Sequence, residues 1–219
     1  MHFLEQAQQF QYLKTGTTTV GLICKDGIVL AAEKKATLGY LVASKDDIKI
    51  VEIMRHIGMT QAGMVGDIQA LVRYLKAEAN LFEIRENKRI TVKAASTLLA
   101  NILYGGRWSY FPYMVQIILA GYDDFGPSMF ILHPDGSKLE ESKYFSTGSG
   151  SPMAFGVLEA LYKEGLTIEE GKVVAARAVK AAVERDIGSG GIGIDVCVID
   201  NKGFRLLEKL EVLKLLEKK

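Results

Sequence analysis

Lys14–Gly21 reads KTGTTTVG, one glycine followed by three threonines and the start of an apolar run. Thr and Val suit a pleated, half-buried surface and Gly punctuates the turn before it, so the plain reading is a strand entry. The sharper reading makes Thr17 a nucleophile masked by the peptide bond that precedes it. The octet by itself allows both. Either way it opens a strand-rich first part of the chain.

Outward from it, TTTVGLIC and GIVLAAEKKA read as two strands joined at Asp26-Gly27, a pair with hairpin character. DIKIVEIM and MTQAGMVG follow as two more strand-like runs. From Asp67 the period changes: Ile68, Leu71, Val72, Leu75, Ala79 and Phe82 share one helical face, with Asp67 expected as N-cap. A second helix is expected from about Thr91 to Tyr104, with Gly105 beyond its end. Strands return in YMVQIILAGYD and in SMFILHP, the latter closing through HPDG. Two further helices begin near Pro152 and at Thr167…Glu170, the second with capping-box spacing. IDVCVIDN and GFRLLE form a last hairpin, and the tail EKLEVLKLLEKK has helical spacing of Leu and Val.

Neither helix pair can bury its stripe alone. Two sheets packed face to face, each covered outside by a helix pair, bury every apolar face. The expected fold is therefore α+β, a four-layer α-β-β-α sandwich of two antiparallel sheets. A doubly wound parallel sheet would need strand and helix to alternate, and they do not.

The chain has 219 residues, enough for one large core, and no linker divides it. A net charge of +1 with no basic stripe gives no case for nucleic acid, and no apolar run reaches membrane-spanning length. Cys24 and Cys197 lie inside apolar runs without metal-like spacing and read as reduced core residues of an intracellular, cytoplasmic protein. No metal cluster and no cofactor motif is expected. GSGGIG at Gly188–Gly193 follows a helix and opens a strand, the reverse of a dinucleotide site. TGSGSP at Thr147–Pro152 lacks the ending of a nucleotide loop and reads as a tight turn with exposed hydroxyls. A Ser-His-Asp assembly would have to rest on His56, since His2 is in the leader and His133 in a turn, and no nucleophile elbow supports it.

Without a usable histidine, nucleophilic chemistry needs another base. An N-terminal threonine carries its own, because hydroxyl and α-amine share one residue. That amine has an ordinary pKa of roughly 7.7–8.0, and a neighbouring cation lowers it further. The arrangement requires loss of Met1–Gly16, a Gln-rich leader that makes a poor signal peptide. Gly16, with no Cβ, lets the Thr17 hydroxyl come close to the carbonyl before it.

GTTTVG, GIVLAAEKKAT, AGMVGDIQALVRYLKAE, YFPYMVQ, STGSGSP and RDIGSGGIGID occur in that order, and together they resemble β-type subunits of the archaeal 20S proteasome. These are N-terminal nucleophile hydrolases with the four-layer fold. The resemblance runs from Gly16 to about Leu207. It implies that residues 1–16 are a propeptide removed by self-processing at Gly16–Thr17, leaving a single domain over 17–219 with a tail from about 208. Thr17 becomes the nucleophile, Lys49 the cation that lowers its amine or hydroxyl pKa, and Glu33 the acid that holds the lysine. Without the family, the same two residues read as a partly buried ion pair, a weak stability device. Ser149, Asp186 and Ser189 match residues that support the site through hydrogen bonds.

The Gly63 amide matches the oxyanion donor, a role worth about 2.7–4 kcal/mol, and Thr37 and Gly63 match positions that pair with an extended substrate. Ala36, Val51, Gln61, Val65 and Gln69 match the specificity pocket, whose mostly small, apolar wall implies cleavage after hydrophobic residues. Two features depart from the common pattern: Glu33 stands where many relatives carry Asp, and Gln61 puts an amide at the pocket floor. The activity implied is that of a threonine endopeptidase acting on unfolded polypeptides. It implies seven-membered β-type rings stacked between α-type rings and fed by an ATPase, with no metal or nucleotide of its own. A structural ring subunit that never matures, and the bacterial two-ring relative of the fold, are the rival readings.

Overall fold

Along Gly27–Glu33 every residue is buried, and alternate residues go to different cores. Val29 and Ala31 join one apolar cluster, Ile28, Leu30 and Ala32 another. Within Val115–Asp123 the run Ile117–Gly121 is buried in the same way, with Ile117 and Leu119 on one side and Ile118 and Ala120 on the other. A strand buried on both faces reads as a continuous apolar run, not an alternating one. Two such strands at the centres of two sheets dictate three interlayer cores.

The computed structural model describes residues 16–217. Residues 1–15 of the expected leader, His2 among them, and the last two residues of the tail lie outside the described residues. In chain order the elements are β1 (Thr19–Cys24), β2 (Gly27–Glu33), β3 (Ala36–Leu38), β4 (Leu41–Ser44), β5 (Ile50–Met54) and β6 (Ile57–Gly63). Helices α1 (Val65–Glu86) and α2 (Val92–Gly106) follow, then β7 (Val115–Asp123), β8 (Gly126–Leu132), β9 (Lys138–Glu141) and β10 (Tyr144–Thr147). The chain continues through α3 (Ser151–Leu161), α4 (Ile168–Val183), β11 (Ile194–Asp200), β12 (Gly203–Leu206) and α5 (Lys209–Glu217).

One sheet has the order β10-β1-β2-β11-β12, the other β5-β6-β7-β8-β9, and all pairings are antiparallel. The cluster of Val20, Leu22, Val29, Ala175 and Val179 fills the space between the first sheet and helices α3–α5. That of Met59, Leu71, Leu75, Leu99 and Leu119 lies between the second sheet and α1–α2. Leu30, Ile118, Met129 and Cys197 lie between the sheets. This is the expected four-layer sandwich. Cys24 and Cys197 are buried free thiols, and burial pushes the Cys24 pKa up to about 12. No helix among the described residues is long and apolar enough to cross a membrane.

Some local expectations shift. Helix α1 begins at Val65, capped by Met64 without a side-chain bond, so Asp67 is not its N-cap. The Asp67 carboxylate instead accepts the Met114 N–H at 2.9 Å, tying the helix start to β7. Helix α2 runs through Gly105 to Gly106, with the Thr91 hydroxyl accepting the Ala94 N–H at its start. The run expected as one strand to Ala36 is broken: β2 stops at Glu33 and Ala36 opens the separate β3–β4 hairpin. The capping box at Thr167 and Glu170 is formed.

Thr167→Ala should destabilise the fold by about 1 kcal/mol in urea unfolding. Hydrogen bonds from Thr167 hold the Glu170 carboxyl below its usual range. This part of the stability is present above the ordinary carboxylate pKa and is lost as pH falls through the depressed one. The difference between wild type and variant should therefore shrink in strong acid.

Candidate active site

Strand β2 ends at Glu33, whose side chain is fully buried where the first sheet meets the loop before β11. Its carboxylate has all four acceptor positions filled. Oε1 takes a proton of the Lys49 ammonium and, at 3.3 Å, the Thr18 N–H. Oε2 takes the Lys35 N–H at 2.7 Å and the Gly190 N–H at 2.9 Å. Three converging backbone amides and one cation compensate the desolvation of a charge that could not otherwise be buried.

Lys49, just before β5, is 3% exposed, so its charge too must be fully paired. Its three protons go to Glu33 Oε1, to the Lys35 carbonyl at 2.5 Å and to Thr17 Oγ1 at 2.9 Å. The Thr17 hydroxyl proton points at the Gly16 carbonyl oxygen, 2.5 Å away. The hydroxyl therefore sits between a fixed cation and the carbonyl of the bond that precedes it. A Cβ on Gly16 would overlap the Gly188 backbone, so glycine is required here for a neighbour's sake as well as for the approach expected from the sequence.

On the nitrogen side, the Thr17 N–H donates to Ser149 Oγ at 3.2 Å. The Ser149 hydroxyl donates to Asp186 Oδ2 at 2.6 Å, with the Thr17 carbonyl a longer alternative at 3.4 Å. Ser189 donates to the same carboxylate oxygen, also at 2.6 Å. The Gly150 N–H meets the Thr17 carbonyl at 3.3 Å. Thr17, Glu33, Lys49, Ser149, Asp186 and Ser189, six residues from five segments of the chain, thus form one hydrogen-bonded network.

The other expected positions surround this network. Gly63 ends β6 at a φ of 136°, and a Cβ there would overlap the Met114 carbonyl. Ala36 and Thr37 lie on β3, paired with Ser44 and Val42. Val51 faces Met59 across β5–β6. Gln61 gives its N–H to the Lys49 carbonyl at 3.1 Å and its side-chain NH2 to the Ile48 carbonyl at 2.6 Å. Its Oε1 is buried with no partner among the described residues. Val65 and Gln69 are exposed on the first turns of α1.

His56 is at the other end of β5 from Lys49, its Nε2 2.7 Å from the Ile90 carbonyl. It lines a cavity of about 160 Å³ with Arg55, Arg89 and Asp123, and it takes no part in the Thr17 network. Sequence reasoning missed Thr18 and the amides of Lys35 and Gly190. Backbone donors carry no residue signature; only the doubled glycine after Ser189 hinted at a close backbone approach.

Glu33→Gln would leave the Lys49 charge buried beside a neutral amide and set an NH2 group against donors. Loss of a buried partner of this kind costs about 3–5 kcal/mol. Chemical unfolding of the variant chain should show a loss of that order, larger than for a surface carboxylate such as Glu140→Gln.

The profile of the family described as "Proteasome subunit" matches residues 13–199. A protein of Methanohalophilus mahii named "Proteasome subunit beta" is 50% identical over 202 residues, covering 92% of this chain and 95% of that one. Another of the same name, from Methanocaldococcus vulcanius, is 50% identical over 202 residues, covering 92% and 89%. A third, from Methanoregula boonei, is 47% identical over 211 residues, covering 96% and 98%. With half its residues shared over nearly its whole length, on a sandwich that gathers GTTTVG, the RDIGSGG loop and Lys49 into one hydrogen-bonded network, the chain belongs to the proteasome subunit family.

Proposed function

We propose that this chain is a catalytic β-type subunit of a proteasome core particle, a threonine endopeptidase that first cuts itself at Gly16–Thr17. The observation that carries the reading is the Thr17 hydroxyl held between the Gly16 carbonyl and the Lys49 ammonium. In self-cleavage, Thr17 Oγ bonds to the Gly16 carbonyl carbon, the C–N bond to Thr17 breaks, and the hydroxyl proton ends on the freed nitrogen. Water then hydrolyses the resulting ester, releasing the leader as a propeptide.

The freed α-amine becomes the base for later turnovers. It takes the Thr17 hydroxyl proton as Oγ attacks a substrate carbonyl and gives it to the departing amine, leaving an acyl-enzyme that water clears. The Lys49 charge beside Oγ favours the alkoxide-like state, and Glu33 keeps that charge in place. The Ser149–Asp186 branch aims the nitrogen. Substrate lies extended against Thr37 and Gly63, with the Gly63 amide as oxyanion donor and the side chain before the cut facing Ala36, Val51, Gln61, Val65 and Gln69.

Assembly into seven-membered rings beside α-type rings, fed indirectly by a cytoplasmic ATPase with unfolded polypeptide, completes the reading. Exposed apolar side chains support such contacts. Tyr40 and Leu38 on the β3–β4 turn, and Trp108, Tyr110 and Phe111 after α2, are all more than 70% exposed. Clusters of this kind on a soluble chain mark interaction surfaces.

The test is the intact mass of the chain after co-assembly with an α-type subunit, beside a Thr17→Ala control. The wild type alone should lose residues 1–16. Retention of the leader in assembled wild-type rings would sink the protease reading in favour of a structural subunit.

A further inference from the structure

Thr18 is fully buried, and its hydroxyl oxygen lies 2.6 Å from Ser189 Oγ. The network settles which of the two donates. A serine hydroxyl has one proton, and that of Ser189 is directed at Asp186 Oδ2. Ser189 can then only accept, so Thr18 is the donor. By the same reasoning Ser149, whose proton also goes to Asp186 Oδ2, accepts the Thr17 N–H. Two branches therefore end on one carboxylate oxygen, one starting at the Thr17 nitrogen and the other at the Thr18 hydroxyl.

Thr18 also grips the acid–lysine half of the site. Its N–H reaches Glu33 Oε1 at 3.3 Å and its carbonyl accepts the Glu33 N–H at 3.3 Å. Space for the hydroxyl is kept by Gly150, where a Cβ would overlap Thr18 Oγ1. Valine has nearly the shape of threonine, so a purely apolar packing role would not require the hydroxyl.

We infer that Thr18 is a positioning residue for the Thr17 chemistry. Its hydroxyl fixes the rotamer of Ser189 and through it the orientation of Asp186, so that the Asp186–Ser149 branch points at the Thr17 nitrogen. The inference rests on the protease reading above.

The experiment compares wild type, Thr18→Val, Thr18→Ser and Thr17→Ala, each co-assembled with α-type subunits. Self-cleavage is read by intact mass, and kcat and KM with a fluorogenic peptide. Thr18→Val should slow self-cleavage and lower kcat about ten- to a hundredfold with KM little changed, the scale of a misplaced reacting group. Thr18→Ser should recover kcat to within about twofold of wild type. Wild-type kcat in Thr18→Val overturns the inference, as does an equal loss in both variants or a change confined to KM. Should Thr18→Val not assemble, Thr18→Ala against Thr18→Ser makes the same comparison, since both lack the methyl and only one keeps the hydroxyl. An inactive, uncleaved wild type defeats the protease reading itself and this inference with it, whereas an active wild type matched by Thr18→Val defeats the inference alone.

Discussion

A buried ammonium group sets the terms for everything around Thr17. Lys49 has three protons and is almost fully buried, so three acceptors must meet it, and one of them must carry a compensating charge. Glu33 supplies the charge and, being equally buried, needs donors of its own. These come from the backbone of Thr18, Lys35 and Gly190. Each requirement recruits a different element: the end of β2, the entry to β1, the loop before β11 and the residue before β5. The site is at the end of β2 because only there do these four segments converge.

The consequence is stiffness around the Thr17 hydroxyl. A cation with every proton engaged cannot swing away from Thr17 without leaving a buried acceptor unpaired, which is costly. The nitrogen side is built more lightly, from hydroxyls and a single carboxylate oxygen of Asp186. Under the self-cleavage proposed for Thr17, this division keeps the oxygen beside a fixed charge while the nitrogen passes from peptide amide to free amine.

The three threonines of KTGTTTVG do three different things. Thr17 presents its hydroxyl to Lys49 and to the preceding carbonyl. Thr18, on the opposite face of the extended chain, turns its hydroxyl to Ser189 and the start of α3. Thr19 crosses the space between the sheets, meeting Thr147 Oγ1 at 2.6 Å and Thr60 Oγ1 at 2.9 Å. Alternation along an extended chain sends neighbours to different layers, so identical residues acquire unrelated surroundings.

Much of this was legible without coordinates. The order of strand and helix runs determined the layer architecture, because apolar faces must be covered and few arrangements cover all of them. Thr91 and the Thr167–Glu170 box marked helix starts through local bonds that need nothing beyond four residues. The edge strand β10 was not legible, since its partner β1 lies far along the chain, and β9 and the β3–β4 hairpin are too short for a period to show. Asp67 looked like a cap and became a tether to Met114 because β7 passes beside it. At the site, the residue types and their order pointed to Thr17, Glu33, Lys49, Ser149, Asp186 and Ser189 through family resemblance. Only the tertiary structure brought in the Lys35 and Gly190 amides and the Thr18 hydroxyl. An amide is the same in every residue, and a hydroxyl gains a direction only from the acceptors folded around it.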